Sequence, residues 1–136
     1  MKWETDPSGI PIDGWGLWMR PQDMAKLGYL YLRQGVWDGQ QITPASWIKA
    51  STQPYFQIDE PLEPWELTYG YGWWLHEYDA YGAHGAGGQF ITVLPNLDVV
   101  VVFTGDLLES EFIQPELLVR EYVIPAVLSA PQHSNQ

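Results

Sequence analysis

Two apolar runs, "GQFITVL" at residues 88–94 and "VVVVF" at 99–103, are separated only by "PNLD". Each run has the length and β-branched content of a strand, and the proline-led linker has the composition of a turn. Side chains alternate across a strand, so an unbroken run such as "VVVVF" suits a strand covered on both faces. The pair therefore demands a sheet with packing layers on either side. A third strand is expected at Tyr69–Glu77, "YGYGWWLHE", where Tyr69, Tyr71, Trp73 and Leu75 alternate onto one face. Gly70 and Gly72 leave the opposite face bare for a close neighbour. The expected sheet is antiparallel and three-stranded, with "GQFITVL" pairing with both other strands.

Helices supply the layers. "PQDMAKLGYLYLRQ", 21–34, carries Gln22, Lys26 and Arg33 in one narrow polar stripe and is otherwise mostly apolar, the pattern of a mostly buried helix. Pro21 suits its first turn and Gly35 ends it. Asp38-Gly39 is the tight-turn signal of a small hairpin. Thr43-Pro44 offers a cap and a first-turn proline for a second helix, "PASWIKAS". Pro115 opens a last helix through about Leu128, kinked or split at Pro125. Residues 1–20 read as an irregular anchored loop, 52–67 as a polar surface loop, and 130–136 as a frayed tail. The fold class is α+β: a three-stranded antiparallel sheet flanked by helices, in one domain.

The net charge of −11 argues against nucleic acid and against anionic membrane surfaces. No apolar run is long enough to span a bilayer. Without cysteine, disulfides and thiol chemistry are excluded.

The candidate chemistry centres on "HGAGGQ", 84–89. Its glycines open a strand and no lysine follows, so it is not a phosphate loop. Two readings remain: a glycine bulge that lets a neighbouring strand pass, and an oxyanion site whose bare amide meets a reacting carbonyl. Ser46-Trp47-Ile48-Lys49 matches Ser-x-x-Lys, but both residue types are common, and the simpler reading is a short surface helix with Trp47 and Ile48 inward and Lys49 solvated. His76, His84 and His133 do not pair at metal spacing. His84 suits either a structural role or a substrate contact. Asp98, Asp106, Glu109 and Glu111 flank turns as solvated charges.

Four segments, in order, resemble the serine beta-lactamase-like hydrolases, the superfamily of class C beta-lactamases, DD-peptidases and esterases, and especially its 6-aminohexanoate-oligomer hydrolase branch. They are "WETDPSGI…GWGLWMRPQDMAKLGYLYLRQGVWDGQQITPASWIKAST", then "YGYGWW", then "AHGAGGQFITVLPNLDVVVVFTG", then "YVIPAV". The resemblance covers nearly the whole chain, but only the carboxy-terminal part of such a hydrolase. It implies a single partial domain of the beta-lactamase/transpeptidase-like fold over residues 1–136. In relatives the nucleophile Ser-x-x-Lys and the Tyr-x-Asn/Ser motif lie upstream of the segment that starts here at Trp3, so Ser46 sits in the wrong segment to be the nucleophile. The Lys/His-Thr/Ser-Gly motif falls on Ala83-His84-Gly85, with Ala83 in place of the basic residue. The oxyanion amide would be that of Ala86, with His84, Gly85 and Gly87 lining the substrate. Arg20 stands where relatives place a capping Thr, so a weaker helix start is expected.

The implied function is hydrolysis of an ester or amide through a serine acyl-enzyme, this chain supplying the oxyanion strand and a cleft wall and being inactive alone. Neither a metal nor an organic cofactor is implied. The expected partners are a small ester or amide substrate, and either the upstream half or a second copy of the chain, since the uncovered sheet edge and apolar face invite association. A periplasmic or secreted location would require a signal peptide upstream of Met1. The competing hypotheses are a non-catalytic aromatic-rich binding module and a self-associating module.

Overall fold

The computed structural model describes residues 1–59, 68–108, 111 and 113–130. The expected tail beyond Ala130 and most of the acidic loop lie outside these residues. Within residues 1–20, β1 (Lys2–Trp3) and β2 (Leu17–Trp18) form a small antiparallel ladder. It is tied by indole donors: Trp3 Nε1 to the Ile12 carbonyl at 2.7 Å and Trp18 Nε1 to Glu4 Oε1 at 2.9 Å. This anchored segment leads into α1 (Pro21–Leu32). Pro21 occupies the first turn, and Arg20 precedes it without a side-chain cap, the weak start expected of that residue. The β3 (Val36–Trp37) and β4 (Gln40–Gln41) hairpin turns at Asp38-Gly39 as expected. In α2 (Ala45–Ser51) Pro44 takes the cap position instead of Thr43, and no side chain caps it. Ile48 faces inward and is buried, whereas Trp47 is exposed and stacks on Tyr71.

The main sheet has six strands, not three. In spatial order it runs β10 (Val99–Phe103), β9 (Gln89–Leu94), β8 (Tyr81–Gly85), β7 (Trp74–Leu75), β6 (Thr68–Tyr69) and β5 (Phe56–Gln57), all antiparallel. The hairpin of β9 and β10 stands where the apolar runs put it, joined through Pro95–Leu97 and a left-handed Asp98. The expected strand at 69–77 is instead folded back on itself. Gly70 N–H bonds to the Trp73 carbonyl, so Tyr69 and Trp74 face one another across a tight turn. The expected pairing of 69–77 with 88–94 is accordingly wrong, because β8 lies between them. Two short glycine-rich hairpins replace one long strand.

Alternation assigns the two faces. Tyr81, Ile91 and Val93 point to one side, where Met24, Leu27, Tyr31 and Leu32 of α1 cover them. Helix and sheet approach closely there: a Cβ on Gly28 would lie 2.5 Å from Val100 Cγ1. The other side carries Ala80, Leu94 and Val99 and is covered by the C-terminal helical segment, through Val119 and Ile124. That segment comprises α3 (Ile113–Leu118), a π-helical turn at Val119–Val123, and α4 (Ile124–Ser129). Pro125 has no N–H to donate to the preceding turn, and the wider π turn lies just before it. The long apolar runs are thus covered on both faces, as "VVVVF" required.

Candidate functional site

The glycine stretch is the turn between β8 and β9. Gly85 pairs with Gln89, leaving Ala86, Gly87 and Gly88 to reverse the chain. Gly87 and Gly88 have φ of 78° and 84°, a region that side-chain-bearing residues avoid. The turn is braced from behind: the Gly87 carbonyl accepts from Leu107 N at 3.0 Å, and Gln89 Nε2 donates to Gly105 O at 2.6 Å. Its other side is open. β7 pairs only with Tyr81 and Gly82, so among the described residues no strand lies against the outer edge of Ala83, His84 and Gly85. Gly85 and Ala86 are exposed at the end of that edge. A strand edge with bare backbone, ending at an exposed amide, can accept an extended substrate and point an N–H at its carbonyl oxygen.

His84 does not share that opening. Its side chain turns onto the sheet face under the C-terminal helical segment, with its ring 4.3 Å from Phe90 and 5.2 Å from His76. Its Nε2 lies 3.5 Å from Glu116 Oε1, and His76 Nε2 lies 4.0 Å from the same oxygen. All three side chains are at most 10% exposed. Gly82 makes the convergence possible: a Cβ there would lie 2.6 Å from His84 Nε2 and 3.0 Å from His76 Nε2. Burial works to raise the Glu116 carboxyl pKa. The close approach of His84 and the positive charges of His76, His84 and Arg120 outweigh it and hold the carboxyl below its ordinary range. A cavity of about 20 Å³ adjoins the cluster, lined by His76, Thr92, Glu116, Val119 and Arg120.

The sequence did not expose this cluster. His76 and His84 are eight apart, and Glu116 is far downstream in a helix whose partner face was unknown. Their meeting depends on β8 being a strand: the register Trp74 to Gly82 then sets both histidines on one face, flanking the bare glycine. Ser46 and Lys49 are exposed on α2, an element that contributes no residue to either region.

The chain aligns with a solved structure of a protein from Bacillus anthracis assigned as a 6-aminohexanoate-dimer hydrolase, at a TM-score of 0.69 and 28% identity. The match covers 96% of this chain and 34% of the other. The chain is similar to the beta-lactamase and penicillin-binding-protein-like serine hydrolases. A penicillin-binding protein homologue from Caulobacter crescentus shares the fold at a TM-score of 0.52 and 24% identity, over 61% of this chain and 24% of that one. The chain thus spans about a third of the length of the first superfamily structure and about a quarter of the second. No protein-family model matches it, and no curated protein matches it in sequence.

Proposed function

We propose that this chain supplies the oxyanion strand and one cleft wall of a serine hydrolase that cleaves an ester or amide through an acyl-enzyme. The observation that carries the reading is the open edge of β8, which ends at the exposed residue Ala86 on a braced glycine turn. A substrate's backbone or acyl chain would lie along Ala83–Gly85, with Gly87 shaping the turn beneath it. The Ala86 N–H would donate to the carbonyl oxygen as it gains negative charge, which is where a fixed donor accelerates acyl transfer. His84 would hold the strand from behind through its contact with Glu116. The nucleophile and base would come from a partner segment, and the outer edge of β10, unpaired among the described residues, offers that segment a place to add strands. A second copy of the chain on the same edge is the competing arrangement.

The test is complementation. The chain would be refolded with the part of the Bacillus anthracis protein that it does not match and assayed with a p-nitrophenyl ester. The expected result is no burst from the chain alone and turnover from the pair. Ala86→Pro removes the amide proton, while also fixing the local φ, and should lower that turnover by at least about 10²–10³-fold, the usual effect of losing one oxyanion donor. A burst from the isolated chain that disappears in Ser46→Ala would overturn the assignment, as would restored turnover indifferent to Ala86→Pro.

A further inference from the structure

We propose that His76, His84 and Glu116 form a binding site for a divalent cation of the zinc class, which fastens the C-terminal helical segment to the sheet. This goes beyond the hydrolase reading and does not depend on it. Each residue offers one donor atom, and the three donors lie within 4.8 Å of one another. They come from three separate places: the end of the β7 hairpin, β8, and α3. Two imidazole nitrogens and one carboxylate oxygen are a donor set that zinc accepts, and one that magnesium and calcium, which prefer oxygen, do not.

The spacing supports a shared centre over a simple ion pair. A buried carboxylate bound to one imidazolium closes to about 2.7–2.9 Å. Here the two distances to Glu116 Oε1 are 3.5 and 4.0 Å. Donors placed tetrahedrally around zinc, with bonds of about 2.0–2.1 Å, stand about 3.3 Å apart. Reaching that arrangement would draw the two imidazole nitrogens in on Glu116 Oε1 by a few tenths of an ångström, and would close the widest donor separation, which is within 4.8 Å, by up to about 1.5 Å. Gly82 clears the floor beneath both ring nitrogens.

The surroundings fit as well. The adjoining cavity of about 20 Å³ has room for one water, which would complete the coordination. The Thr92 hydroxyl lines it, 2% exposed and without a hydrogen-bond partner among the described residues, and would orient that water. Arg120 also lines the cavity, and its positive charge opposes the cation. It is exposed to solvent and so weakly felt, whereas the Glu116 carboxylate is buried at the centre.

The experiment is a calorimetric titration of zinc chloride into the full chain, stripped with chelator and dialysed, near neutral pH. One ion should bind per chain, magnesium should give no heat, and the melting temperature should rise. Binding should fade in mild acid as the imidazoles take up protons. His76→Gln and Glu116→Gln should each weaken it by more than the 10–100-fold that loss of an outer partner costs, and Thr92→Val should fall within that range. A readout independent of variant folding is NMR of the wild-type rings. Zinc should shift the signals of His76 and His84 and leave His133 in place. Absence of saturable binding, binding that survives both ligand substitutions, or shifts confined to His133 would overturn the site.

Discussion

Against α1 the sheet presents Tyr81, Ile91 and Val93, with Trp73 beside them; against the C-terminal helical segment it presents His76, His84, Thr92 and Leu94. The same strands supply both sets, since neighbouring residues alternate sides. The α1 face is held mainly by area and shape, forces without direction that do not respond to acid. The other face also has buried apolar residues, Ala80, Phe90, Leu94 and Val119, but it places a buried carboxylate against two imidazoles as well. Such a cluster stabilises only while its charges are matched. One face is therefore a permanent joint and the other a conditional one.

The largest expected effect breaks the permanent joint. Trp73 is 4% exposed, with its ring 4.3 Å from Tyr31 and 5.3 Å from Tyr81. Trp73→Ala removes this anchor and should cost about 3–5 kcal/mol in urea unfolding. A loss under about 1 kcal/mol would mean that α1 is not held through the aromatic cluster, since truncated core aromatics cost several times that.

A methyl group on Gly82 strikes only the conditional joint. Its Cβ would meet ring nitrogen of both histidines, and such overpacking typically costs about 1–3 kcal/mol. Gly82→Ala should therefore weaken the chain less than Trp73→Ala, and should shift the NMR signals of His76 and His84 while leaving those of Tyr31 unchanged. Equal perturbation of both faces would erase the distinction between them.

The two joints also differ in how much of them could be read beforehand. The apolar runs at 88–94 and 99–103 and the stripe on 21–34 specify the permanent joint directly, because burial is written in residue type and period. β8 was not legible: "YGAHG" has two glycines and an alanine in five residues and lacks β-branched side chains. It is a strand because its neighbours pair with it, and that is a tertiary cause. Misreading "YGYGWWLHE" as one strand followed from its true alternation, which the Gly70–Trp73 turn interrupts. With β8 unseen, the facing of His76 and His84 could not be derived. The glycine turn at Ala86 was located correctly as a bare stretch of backbone, but it reverses the chain where a strand opening was expected.

Acid should loosen the conditional joint alone. The Glu116 carboxyl is held below its ordinary pKa, so it binds protons more weakly in the folded chain than in the unfolded one. Its contribution is complete above the unfolded carboxylate pKa and is lost as pH falls through the lower folded value. Glu116→Gln has no such proton to take up. Urea midpoints across the acid range should fall more steeply for the wild type than for the variant, and parallel curves would remove Glu116 as the cause.

The smallest effect concerns an unpartnered polar atom in the permanent joint. The Tyr81 hydroxyl is buried and has no hydrogen-bond partner among the described residues. Burial, helped by nearby Tyr31, pushes its pKa up to about 12. The folded chain thus favours the neutral phenol. That preference contributes fully below the ordinary tyrosine pKa of about 10 and is lost as pH rises through about 12, the opposite window to that of Glu116. Tyr81→Phe keeps the ring, its edge-on contact with Trp73 and its burial, and deletes only an unpartnered group whose desolvation opposes folding. Stranding such a group costs about 1–3 kcal/mol, and the cavity left by one oxygen returns part of that. The variant should therefore be more stable than the wild type by about 1 kcal/mol at neutral pH, and it should lose part of the alkaline fall in stability. Urea unfolding at neutral and alkaline pH reads both quantities. A destabilised Tyr81→Phe chain would reveal a partner for the hydroxyl, and the α1 face would then share the polar dependence that distinguishes the other.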